Sequence, residues 1–217
     1  MRDLAKRFLS ETDREKIRSA VITAEGKSAG EIVPLVVSAS YSYPMADVTG
    51  AAALAILPSI LITPPVGGFF WVGAQNMWVF MGLFAGFFWL FHGIVKRVPW
   101  LKRVFISGRE LEEEVREAAV IRFFGEGLYR TRDETGVLLY ISVLEQKVWV
   151  LADRGINARV AQSGWDDIVA RVVSGIKGKK QGDAICDAVM EIGNILMAHF
   201  PKKNDDINEL TDMIIKE

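Results

Sequence analysis

From Val48 to Val95 the chain runs for 48 residues without an Asp, Glu, Lys or Arg. A hydrocarbon core about 30 Å thick is crossed by about 20 apolar residues in a helix, so this stretch accommodates two spans and a tight connection. The run Thr63-Pro64-Pro65-Val66-Gly67-Gly68 is expected to supply the break, because two prolines remove backbone donors and two glycines favour a turn. The spans are then predicted at about 48–63, or a little beyond, and 77–95. Trp71 and Trp78 fall near the far interface, where amphipathic rings are favoured. The alternative is a hairpin buried in a soluble core, but only about 170 residues remain to cover both helices.

Orientation follows from the cations that flank the spans. The connection 64–76 has none, whereas Lys96, Arg97, Lys102, Arg103 and Arg109 crowd the exit of the second span. This predicts a multi-pass protein of the inner membrane with both termini cytoplasmic. Lys96, Arg97, Trp100, Lys102 and Arg103 mix cations with an aromatic ring, as suits the headgroup layer of a lipid bilayer. The first long apolar run begins only at Val48, so no secretory signal is expected before the domain. Cys186 is the sole cysteine, which excludes an internal disulfide and suits a reducing compartment. Gly82 and Gly86 form a G-x-x-x-G face, and Ala51 and Ala55 a second small-residue face. Such faces let helix backbones approach closely, either within the hairpin or in a homodimer.

A net charge of −1 offers no global basic field for nucleic acid. Outside the hairpin, Thr12 and Glu15 read as a capping box for a helix running to about Gly26. Glu31–Val37 reads as a buried strand whose Pro34 implies a partly unpaired or bulged stretch. Residues 109–124 read as an amphipathic helix with Leu111, Val115, Ala119 and Phe123 inward. The runs 136–143 and 147–152 are strands separated by only Leu144, Glu145 and Gln146, so they pair antiparallel. Trp165, Ile168, Val169, Val172, Val173 and Ile176 mark a further helix, and 183–199 the last. The fold class is therefore α/β, a small mixed sheet flanked by helices in a three-layer sandwich. The hairpin 48–95 is inserted after the first strand of one domain, 1–47 plus 96–217, which ends in a loop-like tail, 201–217.

Thr12-Asp13-Arg14-Glu15-Lys16-Ile17, Ala24-Glu25, Gly30-Glu31-Ile32, Gly136 to Val143, Trp149 to Ile156 and Asp205-Asp206-Ile207-Asn208-Glu209-Leu210 together resemble the TPM domain family. That family includes thylakoid-lumen proteins described as acid phosphatases and many bacterial membrane proteins. The resemblance implies the sandwich fold and, for some members, phosphoester hydrolysis. The common layout of the family places a secretory signal before the domain and an anchor after it. Here the anchor lies inside the domain, so a lumenal or periplasmic role does not carry over.

A crossover connection makes the strands at 31–37 and 136–143 parallel. Glu31, Asp133, Glu134 and Asp153 should then share one sheet edge, away from the edge where the chain leaves for the hairpin. Clustered carboxylates suit Ca²⁺ or Mg²⁺, and Arg154 beside them suits a phosphate. The plainer reading makes Glu31 a surface pair or cap, Asp133 and Glu134 turn residues, and Asp153-Arg154-Gly155 an Asx-stabilised turn. Two functions follow as expectations. One is a cytosolic protein-binding module, with a structural cation at its acidic edge; the other is a metal-dependent phosphatase. A membrane-associated scaffold rests on 96–105 alone.

Overall fold

The structure, a computed structural model, describes residues 4–131, 133–202 and 214–216. In chain order, α1 (Leu4–Phe8) and α2 (Glu11–Glu25) precede β1 (Glu31–Val37). The apolar helices α3 (Pro44–Phe69) and α4 (Met77–Arg97) follow, then α5 (Pro99–Val104) and α6 (Gly108–Gly125). The remainder is β2 (Gly136–Ser142), β3 (Lys147–Ala152), α7 (Arg154–Asn157), α8 (Gln162–Lys177), α9 (Gln181–His199) and β4 (Ile214–Lys216). They form two compact units, Met1–Tyr41 with Glu112–Glu217, and Ser42–Leu111.

The first unit is built on a sheet of order β3-β2-β1-β4. β1 pairs parallel to β2 from Glu31↔Gly136 to Val37↔Ser142, and β2 pairs antiparallel to β3 from Val137↔Ala152 to Ser142↔Lys147. The register past Pro34 is unbroken, so no bulge forms there. The Glu31 amide donates to Thr135 on the β2 side, whereas the Ile32 amide donates to the Glu25 carboxylate on the other. Alternation along the strand therefore turns Pro34, which has no N–H, away from β2. On that side β4 begins pairing only at Leu35↔Ile214. β4 is a strand that the loop-like composition of the tail does not announce. Asp205, Asp206, Asn208 and Glu209 lie outside the described residues.

The two faces of the sheet carry separate cores. Ile32, Val36, Val137, Leu139, Ile141, Val148 and Val150 pack with Ile17 and Val21 of α2, Trp165, Ile168 and Val172 of α8, and Ile185, Val189 and Ile192 of α9. On the opposite face Val33, Leu35, Leu138 and Tyr140 meet Val115, Ala119 and Phe123 of α6. The result is the three-layer α/β sandwich that the sequence predicts. Gly193 lets α9 close on α2, since a Cβ there would lie 2.5 Å from the Ala24 Cβ.

The helix cap differs from expectation. Ser10, not Thr12, is the N-cap of α2: its hydroxyl accepts from the Asp13 amide while the Asp13 carboxylate accepts from the Ser10 amide. Asp13 completes the reciprocal pair in place of Glu15, because the helix starts two residues earlier than the Thr12 box requires.

In the second unit α3 continues through Pro58, Pro64 and Pro65 to Phe69, so the run 63–68 does not end the helix. The fixed φ of proline is itself helical, and what it removes is a donor, not the chain's course. Reversal falls at 70–76 instead, with Trp71 at φ 58° and Gly73 at φ 94°. At about 1.5 Å rise per residue, the 26 and 21 residues of α3 and α4 span about 39 and 32 Å, enough to cross a bilayer core. Both helices are long and apolar enough to cross a membrane. The buried residues of α3 are small: Ala46, Gly50, Ala51, Ala55, Ser59, Thr63 and Gly67, with Asp47 among them. The Ser59 and Thr63 hydroxyls donate to the carbonyls of Ala55 and Ser59, so neither needs a partner on α4. Along α4, Phe80, Phe84 and Phe88 contact one another one turn apart, with centroids 6.1 and 6.3 Å apart. A Cβ on Gly82 or Gly86 would meet nothing within 4 Å. These two glycines therefore make no close approach within the described residues, whereas Ala51 and Ala55 are fully buried.

Candidate functional site

The acidic edge is assembled by backbone contacts. Thr135 donates from its hydroxyl to the Ala29 carbonyl, accepts the Glu31 amide on its own carbonyl, and receives support from the Thr131 hydroxyl. The Asp153 amide donates to Gly136 at 2.9 Å. A Cβ on Gly155 would lie 2.7 Å from the Glu134 carbonyl oxygen and 2.9 Å from that of Asp133, so glycine permits this crossing of two loops. Topology thus brings Glu31, Asp133, Glu134 and Asp153 to one end of the sheet, as the parallel β1–β2 pair requires.

The side chains at this end diverge in role. Asp153 is the N-cap of α7, its Oδ1 accepting the Arg154 amide at 2.7 Å, while its Oδ2 is buried without a hydrogen bond. Arg154 is exposed. Glu134 stands at φ 54° in the turn before β2. Glu31 is buried and lines a cleft with Ile22, Glu25, Ser28 and Lys202, which Asp133, Glu134 and Asp153 do not reach. Among the described residues, no three His, Cys, Asp or Glu side chains converge as an ion's ligand set.

At the opposite end of the sheet sits a polar cluster that sequence reasoning missed. Glu145, in the turn that connects β2 and β3, is fully buried. One carboxylate oxygen accepts the Ser40 amide at 2.9 Å and the other accepts the Ser142 hydroxyl. Ser40 also shares a 3.0 Å hydrogen bond with the Tyr140 hydroxyl. Burial first, with the nearby Glu145 charge adding to it, raises the Tyr140 pKa above the ordinary phenol value although the Ser40 bond opposes this. The sequence signal is an acidic residue in a turn between two largely apolar strands.

A third feature is an apolar surface on α6. Its inward positions are Val115, Ala119 and Phe123, and the outward positions carry not only glutamates but Val120, Ile121 and Phe124. Ile121 and Phe124 are 61% and 56% exposed. Phe124 contacts the Tyr129 ring at 5.3 Å, and the Arg130 guanidinium lies 5.2 Å above that ring. Val120, Ile121 and Phe124 repeat at helical spacing on one face, a signal legible in the sequence once the inward positions are fixed.

In the second unit, Trp71 lies in the reversal and Trp78 in the first turn of α4, both almost fully exposed. Lys96, Arg97 and Trp100 are exposed as well, and Arg103 is half-buried. Lys102 is not an exposed headgroup cation: it is 1% exposed and pairs with Asp47. Its ammonium also donates to the Ser42 carbonyl.

The family model of the TPM domain matches residues 104–195, which run from the end of α5 into α9 and exclude β1. Among solved structures, the NMR structure of BA42 protein from the psychrophilic bacterium Bizionia argentinensis is similar at a TM-score of 0.59 and 20% identity. The alignment covers 97% of this chain and 96% of that one, a likeness of fold alone. No curated protein matches the chain.

Proposed function

We propose that this chain, whose residues 104–195 match the TPM domain model, acts as a protein-binding module held at the cytoplasmic face of an inner membrane by α3 and α4. The observation that carries the binding role is the α6 surface of Val120, Ile121, Phe124 and Tyr129. A contiguous apolar patch on a water-facing unit marks an interaction site. Arg130 beside it favours a partner that sets a carboxylate next to an apolar anchor. Cytoplasmic placement is supported by Lys96 and Arg97 in the last turn of α4, against a reversal 70–76 without any charge. A photo-crosslinker at Phe124 in intact membranes should yield a discrete protein adduct that Ile121→Glu abolishes. An adduct equal to that from an exposed polar position such as Lys177 would remove this reading. Placement is tested separately: alkaline phosphatase fused after Gly68 should be active, and fused at the C-terminus inactive.

Cation binding and phosphatase activity at the acidic edge form the second reading. Its support is the buried, unpartnered Oδ2 of Asp153 beside Arg154. Hydrolysis of a generic phosphoester with added Ca²⁺ or Mg²⁺, lost in Asp153→Asn, would establish it over the binding module.

A further inference from the structure

We propose that the turn from α4 into α5 is a recognition collar for the headgroups of anionic phospholipids. This rests on the membrane placement proposed above and adds a lipid class to it. The second unit, Ser42–Leu111, contains two carboxylates, Asp47 and Glu110, against the cations Lys96, Arg97, Lys102, Arg103 and Arg109. Asp47 is taken up by Lys102. Among the described residues no carboxylate pairs with Lys96 or Arg97; the Arg97 guanidinium donates only to the Gly93 carbonyl, at 3.2 Å.

The geometry of α5 gives this charge a matching surface. Trp100 and Val104 are one turn apart, 71% and 69% exposed, and Arg103 lies between them on the same side. Lys102 faces inward, 1% exposed. Phe105 packs against α3 so closely that a Cβ on Gly50 would lie 2.7 Å from its ring. α5 is thus fixed with an aromatic ring and an aliphatic side chain outward beside cations. A tryptophan is favoured at headgroup depth, and each cation near an anionic surface contributes attraction that neutral lipid does not supply. The internal Asp47–Lys102 pair removes the one acidic group in the first turn of α3 that would oppose a phosphate.

The test uses the full chain reconstituted into nanodiscs of phosphatidylcholine, alone or mixed with phosphatidylglycerol. Native mass spectrometry should show several-fold preferential retention of phosphatidylglycerol and thermal unfolding should shift upward with it. Lys96→Gln and Arg97→Gln, singly and together, should reduce the preference toward parity, whereas Lys147→Gln should leave it unchanged. Excess inorganic phosphate should not displace the lipid; displacement would reassign the site to free phosphate and overturn the proposal. Equal retention of both lipids, or a preference untouched by the two substitutions, also overturns it. Alkaline extraction separates the two levels: a chain that does not insert removes the membrane placement and the collar together, while one that inserts without lipid preference removes only the collar.

Discussion

The Lys102 ammonium lies 2.8 Å from Oδ1 of Asp47, joining the short helix α5 to the first turn of α3 across 55 residues of sequence. Both side chains are withdrawn from solvent, and the ammonium is further held by the Ser42 carbonyl. Removing one partner strands a buried charge, at a cost of about 3–5 kcal/mol. Lys102→Met and Asp47→Asn should each destabilise the protein on that scale in mixed-micelle unfolding. The double variant should recover most of the loss, and single variants indistinguishable from wild type would show that the pair is solvated.

Close approach makes Gly193 and Gly82 opposite cases. Gly193→Val would drive α9 away from Ala24 and should cost about 1–3 kcal/mol, as overpacking of a tight contact does. Gly82→Ala adds a methyl group to open space and should leave unfolding of the hairpin unchanged. Loss of a cross-linkable dimer on Gly82→Ile, with folding intact, would assign that face to homodimer contact.

Ser10→Ala removes the hydroxyl of the α2 cap and should cost about 1 kcal/mol in urea unfolding. The Ser10 hydrogen bond lowers the Asp13 pKa below its ordinary value of 3.8, outweighing the desolvation that raises it. A depressed carboxyl contributes stability that is present above the ordinary value and is lost as pH falls through the folded one. The acid limb of wild-type stability should therefore fall more steeply than that of Ser10→Ala, and parallel limbs would contradict the assignment.

Cys186 is half-buried on α9, and burial, followed by the Asp183 charge, raises its thiol pKa. Alkylation near neutral pH should be slower than for a free cysteine and should accelerate on denaturation. Rapid native alkylation would place the thiol in a different environment.

Asp153→Asn separates the two roles of the acidic edge. Asparagine preserves the cap of α7, so stability should hold, whereas Asp153→Ala should lose about 1 kcal/mol. A rise in melting temperature with Ca²⁺ in wild type that Asp153→Asn abolishes would assign a cation here.

The strands at 31–37, 136–142 and 147–152 were legible because each is a near-continuous apolar run, and the short link at 143–146 dictated their pairing. The inward face of α6 and the helix from Trp165 followed from spacing for the same reason. Pro64 and Pro65 do not break α3, because each proline inside a long apolar helix removes one hydrogen bond without forcing the chain to turn. Lys102 and Glu145 were illegible as buried groups: each is fixed by partners remote in sequence, Asp47 and Ser40. The common location of Asp133, Glu134 and Asp153 was readable from topology, but whether their carboxylates converge depends on turn geometry such as φ 54° at Glu134.

The parallel register of Glu31 with Gly136 also sets an order of events during synthesis. β1 leaves the ribosome before α3 and α4, and β2, the neighbour that pairs along its whole length, after them. At about 5–20 residues per second, the intervening chain takes roughly 5–20 s to appear. For that interval Ile32, Val33, Leu35, Val36 and Val37 have no β2 to pair with, although the sequence offers them no solvent-facing alternative. Completion of the apolar hairpin and completion of the sheet are therefore consecutive steps of one assembly, and a delay in the first prolongs the exposure of an aggregation-prone strand.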